Sequence, residues 1–245
     1  MGQSETLTCT AETYRMEENL RNIYLFRPLD SSLLQEISML ATEHHYKRGQ
    51  YIFMEGQTRD TVFFLINGAL KIYNVDDSGR EIIRNIVSAG QLFPQTGFFD
   101  MCPYPGTAEA ITQSTIISIS GRAFETWLLR NVTILQNVVQ IMNGQIQQLQ
   151  ARQQELTLND SCDRLAAILR YLAQEHGHIQ GTNVRIPIPL NQSEIANMVG
   201  MTRESVNRVW RQMHAEGIVS TDRGEWILKK DWCDSPMLAR DGQQV

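Results

Sequence analysis

The sequence contains no long hydrophobic run. No stretch of about 18 consecutive apolar residues is present, so we expect no membrane-spanning helix. The N-terminal stretch MGQSETLTCT is polar and lacks the apolar segment of a secretory signal. These two absences predict a cytoplasmic protein with no membrane partner.

Paired cysteines and an excess of basic residues are also missing. The cysteines at positions 9, 102, 162 and 233 form no CxxC pair, so we expect neither a disulfide framework nor a metal site. The formal net charge of -5 argues against nucleic-acid binding over the whole surface, and any such surface must be local. No P-loop, G-x-S-x-G or HExxH motif occurs, which argues against an enzyme with catalytic residues of these types.

The most informative stretch is QSEIANMVGMTRESVNRVWR. It predicts two short helices joined by a tight turn. The first apolar face, at helical spacing, is followed by a glycine suited to the left-handed conformation, a capping threonine and a second apolar face. The residues that carry this pattern are Ile195, Ala196, Val199, Gly200, Thr202, Val206 and Val209. The pattern is that of a helix-turn-helix.

The exposed face of the second helix has side chains suited to base edges. Arginine can donate two hydrogen bonds to guanine, and glutamate can accept one from the amino group of cytosine. The face consists of Arg203, Glu204, Asn207, Arg208 and Arg211. It predicts DNA recognition in a major groove, and the alternative is a helical hairpin with a solvated charged face.

From His44 to Ile119 the sequence has short segments rich in β-branched and aromatic residues, separated by glycines. Such segments predict strands, and Asp77-Ser78-Gly79 predicts a hairpin turn between two of them. Many short strands at regular spacing are typical of a small antiparallel barrel or jelly roll. Its interior could hold a ligand or consist of packed core alone.

A long helix is predicted from Val132 to Leu156. Apolar residues alternate at spacings of four and three, interrupted once by Gln153, which is the pattern of a coiled-coil seam. A helix packed on its own barrel would give a similar stripe. We favour dimerisation through a seam of Leu135, Val139, Met142, Ile146, Leu149 and Leu156.

The predicted fold class is α+β, in four parts. They are an N-terminal arm (1–22), an antiparallel β-barrel or jelly-roll sensor domain (23–130), a dimerisation helix (131–158) and a C-terminal winged helix-turn-helix domain (159–245). RIPIPL (185–190) is predicted to be an edge strand, and GIVSTDRGEWIL (217–228) a two-stranded wing. Further helices are predicted at Glu17–Tyr24, Leu29–Thr42, Ala123–Leu129 and Cys162–Glu175.

This arrangement resembles the cyclic-AMP receptor protein/FNR family of transcription regulators. The resemblance extends from about residue 20 to 230, and GMTRESVNRVWRQMHAEGIV (200–219) is its most specific part. YKRGQYIFMEG and FFLINGALKIY, within residues 46–73, are similar to the family's first barrel strands. The resemblance implies a homodimer that binds a palindromic site on double-stranded DNA, with RNA polymerase as a further partner if it activates transcription.

The resemblance also implies roles for residues of the helix-turn-helix. Arg203, Glu204 and Arg208 match the three residues that recognise a TGTGA-like half-site in the cyclic-AMP-type branch. Asn207 departs from the small residue usual in that branch. The other positions implied or predicted to contact DNA are Gln192, Thr202, Ser205 and Arg211.

The chemistry of the family's known sensors does not carry over. Gln95 stands where the cyclic-AMP pocket has a glutamate, and Tyr104-Pro105 stand near its Arg-Ser pair. A cyclic phosphate without a cation would be buried unpaired, at a cost of several kcal/mol, so cyclic AMP is not expected. Cys9 is the lone cysteine near the N-terminus, which argues against the iron-sulfur cluster of the oxygen-sensing branch.

The sequence leaves several hypotheses for the function of the sensor domain open. A small organic effector could lie among Phe93, Gln95, Phe98, Phe99, Tyr104, Met142, Gln145 and Leu149. The alternatives are that these residues only fill the core, that haem is bound through His44 or His45, or that Cys102 is a redox thiol. At the level of the whole chain, the alternative to a regulator is a ligand-binding or scaffold protein whose helix-turn-helix binds other proteins.

Overall fold

The computed structural model describes residues 14–94, 100, 102–155, 160–222, 224–229 and 232. The chain divides into two compact units, one of Met1–Asn74 with Arg84–Gln145 and one of Val75–Ile83 with Ile146–Val245. The division falls within the long helix and not at its ends. Among the described residues, no helix is both long enough and apolar enough to cross a membrane.

The predicted β domain consists of two four-stranded antiparallel sheets, with strand orders β1-β8-β3-β6 and β2-β7-β4-β5. Both sheets have free edges within the described residues, so the architecture is a pair of open sheets and not a closed barrel. The strands are β1 (Ala41–Tyr46), β2 (Tyr51–Phe53), β3 (Thr61–Asn67), β4 (Ala69–Val75), β5 (Glu81–Ser88), β6 (Leu92–Phe93), β7 (Thr107–Ala110) and β8 (Ser114–Ser120).

Local turn chemistry explains the hairpin between β4 and β5. The Asp76 carboxylate accepts hydrogen bonds from the backbone N–H groups of Ser78 and Arg80, each at 3.0 Å. Gly79 has a φ of 82°, which glycine adopts without strain. The Ser78 hydroxyl also donates to this carboxylate at 2.5 Å, and its hydrogen bond, together with that from the Arg80 backbone N–H, lowers the pKa of Asp76 to about 2. The hairpin predicted at Asp77-Ser78-Gly79 is confirmed.

The helices that precede β1 are shorter or shifted relative to the prediction. Helix α1 covers 14–21, and α2 covers Ser31–Ser38 where a helix from Leu29 to Thr42 was expected. Asp30 caps α2 by accepting a hydrogen bond from the backbone N–H of Leu33 at 2.9 Å. The predicted C-terminal end is wrong because Ala41 already pairs with Ile119 in the β1–β8 ladder.

Two apolar clusters fill this part of the molecule. The first, here called the helix cluster, joins α1 and α2 to one sheet and to helices α3 (Gly121–Arg130) and α4 (Val132–Glu155). Its large members are Phe26, Phe64, Phe124 and Trp127. The second, here called the aromatic cluster, contains Phe53, Phe63, Phe93 and Tyr104. Strand residues make up the rest of the aromatic cluster: Leu65, Leu70, Val87, Ala108, Ala110 and Ile116.

The C-terminal unit combines three helices with one small sheet of order β11-β12-β10-β9. Its helices are α5 (Ser161–His176), α6 (Gln192–Val199) and α7 (Arg203–Ala215), and its strands are β9 (His178–Gln180), β10 (Asn183–Ile186), β11 (Val219–Asp222) and β12 (Glu225–Lys229). Buried residues from all three helices form its core, including Leu169, Ile195, Val206 and Met213.

One strand of this unit differs from the prediction. Strand β10 ends at Ile186, before Pro187, and it pairs with β12 on one side and with β9 on the other. The edge strand expected over RIPIPL is therefore wrong in both extent and position. Proline lacks the N–H that a central strand must donate, so the two prolines lie beyond the ladder.

Candidate nucleic-acid interface

Helix α6 begins and ends on specific local hydrogen bonds. The Asn191 side chain accepts from the backbone N–H groups of Ser193 and Glu194 at 2.9 and 3.0 Å, and Glu194 accepts from the Asn191 backbone at 2.7 Å. The N-x-x-E spacing is typical of such a capping box, but the sequence analysis did not predict it. Gly200 ends the helix with a φ of 71°, as predicted.

Helix α7 starts immediately after that turn. The Thr202 hydroxyl oxygen accepts a hydrogen bond from the Ser205 backbone N–H at 3.2 Å, as predicted for the cap. The Thr202 and Ser205 hydroxyls also lie 3.1 Å apart and form a hydrogen bond. Val206 and Val209 are buried. The turn therefore fixes which face of α7 packs inward and which faces solvent.

The predicted recognition residues lie on the outward face of α7. Arg203, Glu204, Arg208 and Arg211 are exposed, and Asn207 is half-buried. Within the described parts of the chain, no hydrogen bond or ion pair engages these five side chains. They are consequently available to a ligand. Gln192, at the start of α6, is half-buried.

Helix α4 has two apolar faces. Ile134 and Val138 are buried in the helix cluster, and Ile141 and Met142 pack against it. Neither Ile134 nor Val138 was part of the predicted seam. Most of the predicted seam residues are more exposed: Val139, Ile146 and Leu149 have exposed fractions of 51%, 52% and 63%, while Leu135 is half-buried. Leu156 lies outside the described residues.

The proposed effector residues fall in different places. Phe93 and Tyr104 belong to the aromatic cluster, whereas Met142 packs against the helix cluster. Gln145 is half-buried and Leu149 is exposed. Gln95, Phe98 and Phe99 lie outside the described residues.

Tyr104 is held firmly within the aromatic cluster. Its ring stacks on Phe53 with centroids 4.0 Å apart, and its hydroxyl donates to the Thr61 carbonyl at 3.0 Å. Burial, together with the nearby charge of Asp60, raises the pKa of Tyr104 to about 12. The hydroxyl thus stays protonated and remains a donor at neutral pH.

The histidines considered for haem are engaged at the surface of β1 and β8. The His44 ring nitrogen Nε2 lies 2.8 Å from the Ser118 hydroxyl. The His45 ring contacts the Thr115 hydroxyl at 3.2 Å and the Glu43 carboxylate at 3.3 Å. Cys102 is an exposed free cysteine.

Two family models match this chain, one in its N-terminal part and one in its C-terminal part. A family model described as cyclic nucleotide-binding domain matches residues 43–131, and one described as Crp-like helix-turn-helix domain matches residues 163–232. A CRP-like cAMP-activated global transcriptional regulator of Mycobacterium tuberculosis is 27% identical over 92% of this chain and 99% of its own length. The chain belongs to the cyclic-AMP receptor protein/FNR family.

A further relative and two solved structures are also similar to this chain. The anaerobic regulatory protein of Bacillus subtilis is 22% identical over 85% of this chain and 91% of its own length. The structure of FixK2 from Bradyrhizobium japonicum has a TM-score of 0.70 at 19% identity, covering 84% of this chain and 99% of that one. A CooA variant from Carboxydothermus hydrogenoformans has a TM-score of 0.68 at 21% identity, covering 87% and 93%. These two structures share the fold.

Family membership decides between the function classes left open by the sequence. This member of the cyclic-AMP receptor protein/FNR family is a DNA-binding transcription regulator and not an enzyme. The outward face of α7 is the part of the helix-turn-helix that is predicted to contact bases.

Ion pairs between distant residues of this regulator were not predicted from the sequence. In the β domain, Arg59 pairs with Asp100, and the buried Lys71 amino group lies 3.3 Å from the Glu109 carboxylate. Lys71 and Glu109 are directly opposite in the β4–β7 ladder. Such pairs leave no signal in sequence until the strand register is known.

Proposed function

We propose that this regulator binds, as a homodimer, an inverted DNA repeat with TGTGA-like half-sites. The observation that carries the proposal is the outward row of unengaged side chains on α7. Arg203 and Arg208 would each donate to a guanine, and Glu204 would accept from a cytosine amino group. Gln192, Thr202, Ser205 and Arg211 would bind phosphates or border the base contacts, which positions the helix without specifying sequence.

The exposed row on α4 supports the homodimer. Large apolar side chains left at half exposure or more at regular helical spacing mark an interaction face, and the core of this chain is packed by a different face of the same helix. A second copy of α4 would cover Val139, Ile146 and Leu149 by coiled-coil packing. A two-fold dimer would present two α7 helices to one duplex, with half-sites about 34 Å apart.

The signal that controls DNA binding is proposed to be other than cyclic AMP. The Mycobacterium tuberculosis relative is described as cAMP-activated, but at this level of identity the pocket residues can differ. Tyr104, near the position of the family's Arg-Ser pair, is a buried aromatic residue that supplies no cation. Arg59, which lies beside the same loop, is paired with Asp100.

A binding selection on randomised duplexes tests the proposed function. The full-length protein should enrich an inverted repeat whose half-sites resemble TGTGA, and its affinity should fall steeply as salt is raised. Enrichment of a single, non-repeated site would contradict the dimeric mode. No enrichment at all would contradict sequence-specific recognition by α7.

A further inference from the structure

Two carboxylates stand at the tip of the wing, the hairpin formed by β11 and β12. Asp222 ends β11 and Glu225 begins β12, and the two residues pair across the hairpin. Both side chains are partly exposed. Two unneutralised negative charges at this position would oppose the approach of a phosphate backbone.

A single arginine from outside the hairpin engages both carboxylates. Arg185 lies on β10, beside β12 in the sheet. One guanidinium nitrogen, Nε, donates to Glu225, and another donates to Asp222 at 2.8 Å. The hydrogen bonds to Glu225 and Asp222 raise the pKa of Arg185 above its ordinary value. A guanidinium can hold two carboxylates at once because its donors have a fixed fork geometry.

The wing lies next to the recognition helix. Trp226 of β12 packs edge-to-face against Trp210 of α7, with ring centroids 5.0 Å apart. Ser220 and Thr221 on β11 are exposed, and hydroxyl groups of this kind donate to phosphates in protein–DNA complexes. When α7 enters a major groove, the neighbouring hairpin is therefore placed near the DNA backbone.

We propose that Arg185 acts as a positioning residue for DNA binding, by neutralising Asp222 and Glu225 so that the wing can lie against phosphates. The inference rests on the proposed function. It predicts that the charge of Arg185 matters to DNA affinity through the two carboxylates, and that Arg185 itself contacts no base.

Four proteins separate this electrostatic role from a purely structural one. They are Arg185→Gln, the double variant Asp222→Asn with Glu225→Gln, the triple variant that combines all three changes, and Arg15→Gln as a charge-matched control. Arg15 pairs with Glu43 in an exposed ion pair of the other unit, at 2.9 Å. Affinity for the selected duplex is measured by fluorescence anisotropy over a series of salt concentrations, and folding by thermal melting.

Arg185→Gln should weaken binding about three- to tenfold at moderate salt, with a smaller loss at high salt, because the exposed carboxylates repel phosphates. The triple variant should recover to within about twofold of wild type, since the repelling charges are gone. The double variant should bind at least as tightly as wild type. Arg15→Gln should leave the affinity unchanged.

A structural role gives the opposite pattern. If the ion pairs served only to hold the wing in shape, the double variant would lose as much affinity as Arg185→Gln, and the triple variant would not recover. Either result overturns the inference. If Arg185→Gln does not fold, the double variant alone decides, because it breaks the same ion pairs while removing two negative charges and keeping the Arg185 cation. Absence of specific binding by the wild-type protein would instead count against the proposed function.

Discussion

Trp210 of helix α7 and Trp226 of the wing pack edge-to-face at an interplanar angle of 61°. Trp226 is only 4% exposed, so this contact is part of the core of the C-terminal unit. Edge-to-face aromatic pairs add to the stabilisation that burial provides. The contact links α7, which bears the residues that we propose to contact bases, to the wing, which we place near the DNA backbone.

Replacing Trp226 should therefore affect stability and binding together. Trp226→Ala should lower the free energy of unfolding by about 3–5 kcal/mol, through loss of buried area and formation of a cavity. Trp226→Phe should retain most of the stability. At temperatures where the alanine variant is folded, we expect weaker binding to all DNA sequences alike, since no base-contacting side chain has changed. Urea denaturation and anisotropy measure the two effects. An altered base preference would contradict this explanation.

Dimerisation should depend on the exposed row of α4. Val139→Glu combined with Ile146→Glu should give a monomer in sedimentation experiments, because two carboxylates per helix would be buried in the interface. Gln140→Glu combined with Gln147→Glu is a matched control, since it adds the same charges at the same spacing on an exposed face. The control should stay dimeric. A full-strength dimer of the first variant would exclude this face as the interface.

The parts of the molecule that the sequence predicted well are those determined by local chemistry. The Thr202 cap, the left-handed Gly200 and the buried Val206 all depend on residues within one turn of each other, and each is confirmed. The wing was predicted from its strand and turn composition, and Val219–Asp222 with Glu225–Lys229 confirm it.

The parts that could not be predicted depend on contacts between distant segments. Whether β10 is central or at an edge depends on β9 and β12, and its register cannot be read from RIPIPL alone. The α4 stripe was ambiguous because core and interface residues follow the same helical period, and only the burial of Ile134 and Val138 separates the two faces. The pairing of Arg185 with Asp222 spans 37 residues.

Cyclic AMP should not affect this regulator. Tyr104 is buried and Arg59 is already paired, so among the described residues of this loop we find no unengaged cation for the cyclic phosphate. We expect millimolar cyclic AMP to leave both the melting temperature and the affinity for DNA unchanged. Isothermal calorimetry provides a direct measurement. A binding isotherm with micromolar affinity would show that another cation serves the pocket.

His176 should make the C-terminal unit sensitive to acid. Burial lowers the pKa of His176 from 6.5 to about 4, so below pH 6.5 the unfolded chain takes up a proton that the folded protein does not. Stability contributed by the neutral ring is complete above that pH and is lost as the pH falls towards 4, at about 1.4 kcal/mol per pH unit.

The measurement is urea denaturation at several pH values between these limits. His176→Phe keeps an aromatic ring beside Tyr171, which the histidine ring contacts edge-on at 5.9 Å. This variant should lose less stability on acidification than wild type. His178→Phe, at an exposed position, should behave like wild type. Equal acid sensitivity of the His176 variant and wild type would assign the effect to other groups.

Arg208 gives the sharpest test of base recognition because Arg211, one turn further along α7, is a charge-matched comparison. Both side chains are exposed, so either change to alanine removes one cation without creating a cavity. Arg208→Ala should cost about 1–3 kcal/mol per half-site and relax the preference at one base pair, because a bidentate contact to guanine is lost. Arg211→Ala should weaken binding to all sequences similarly and make the salt dependence shallower, as expected for a phosphate contact. Binding selections with both variants and wild type provide the comparison. If Arg208→Ala leaves every base preference unchanged, the guanine contact must be assigned to another residue.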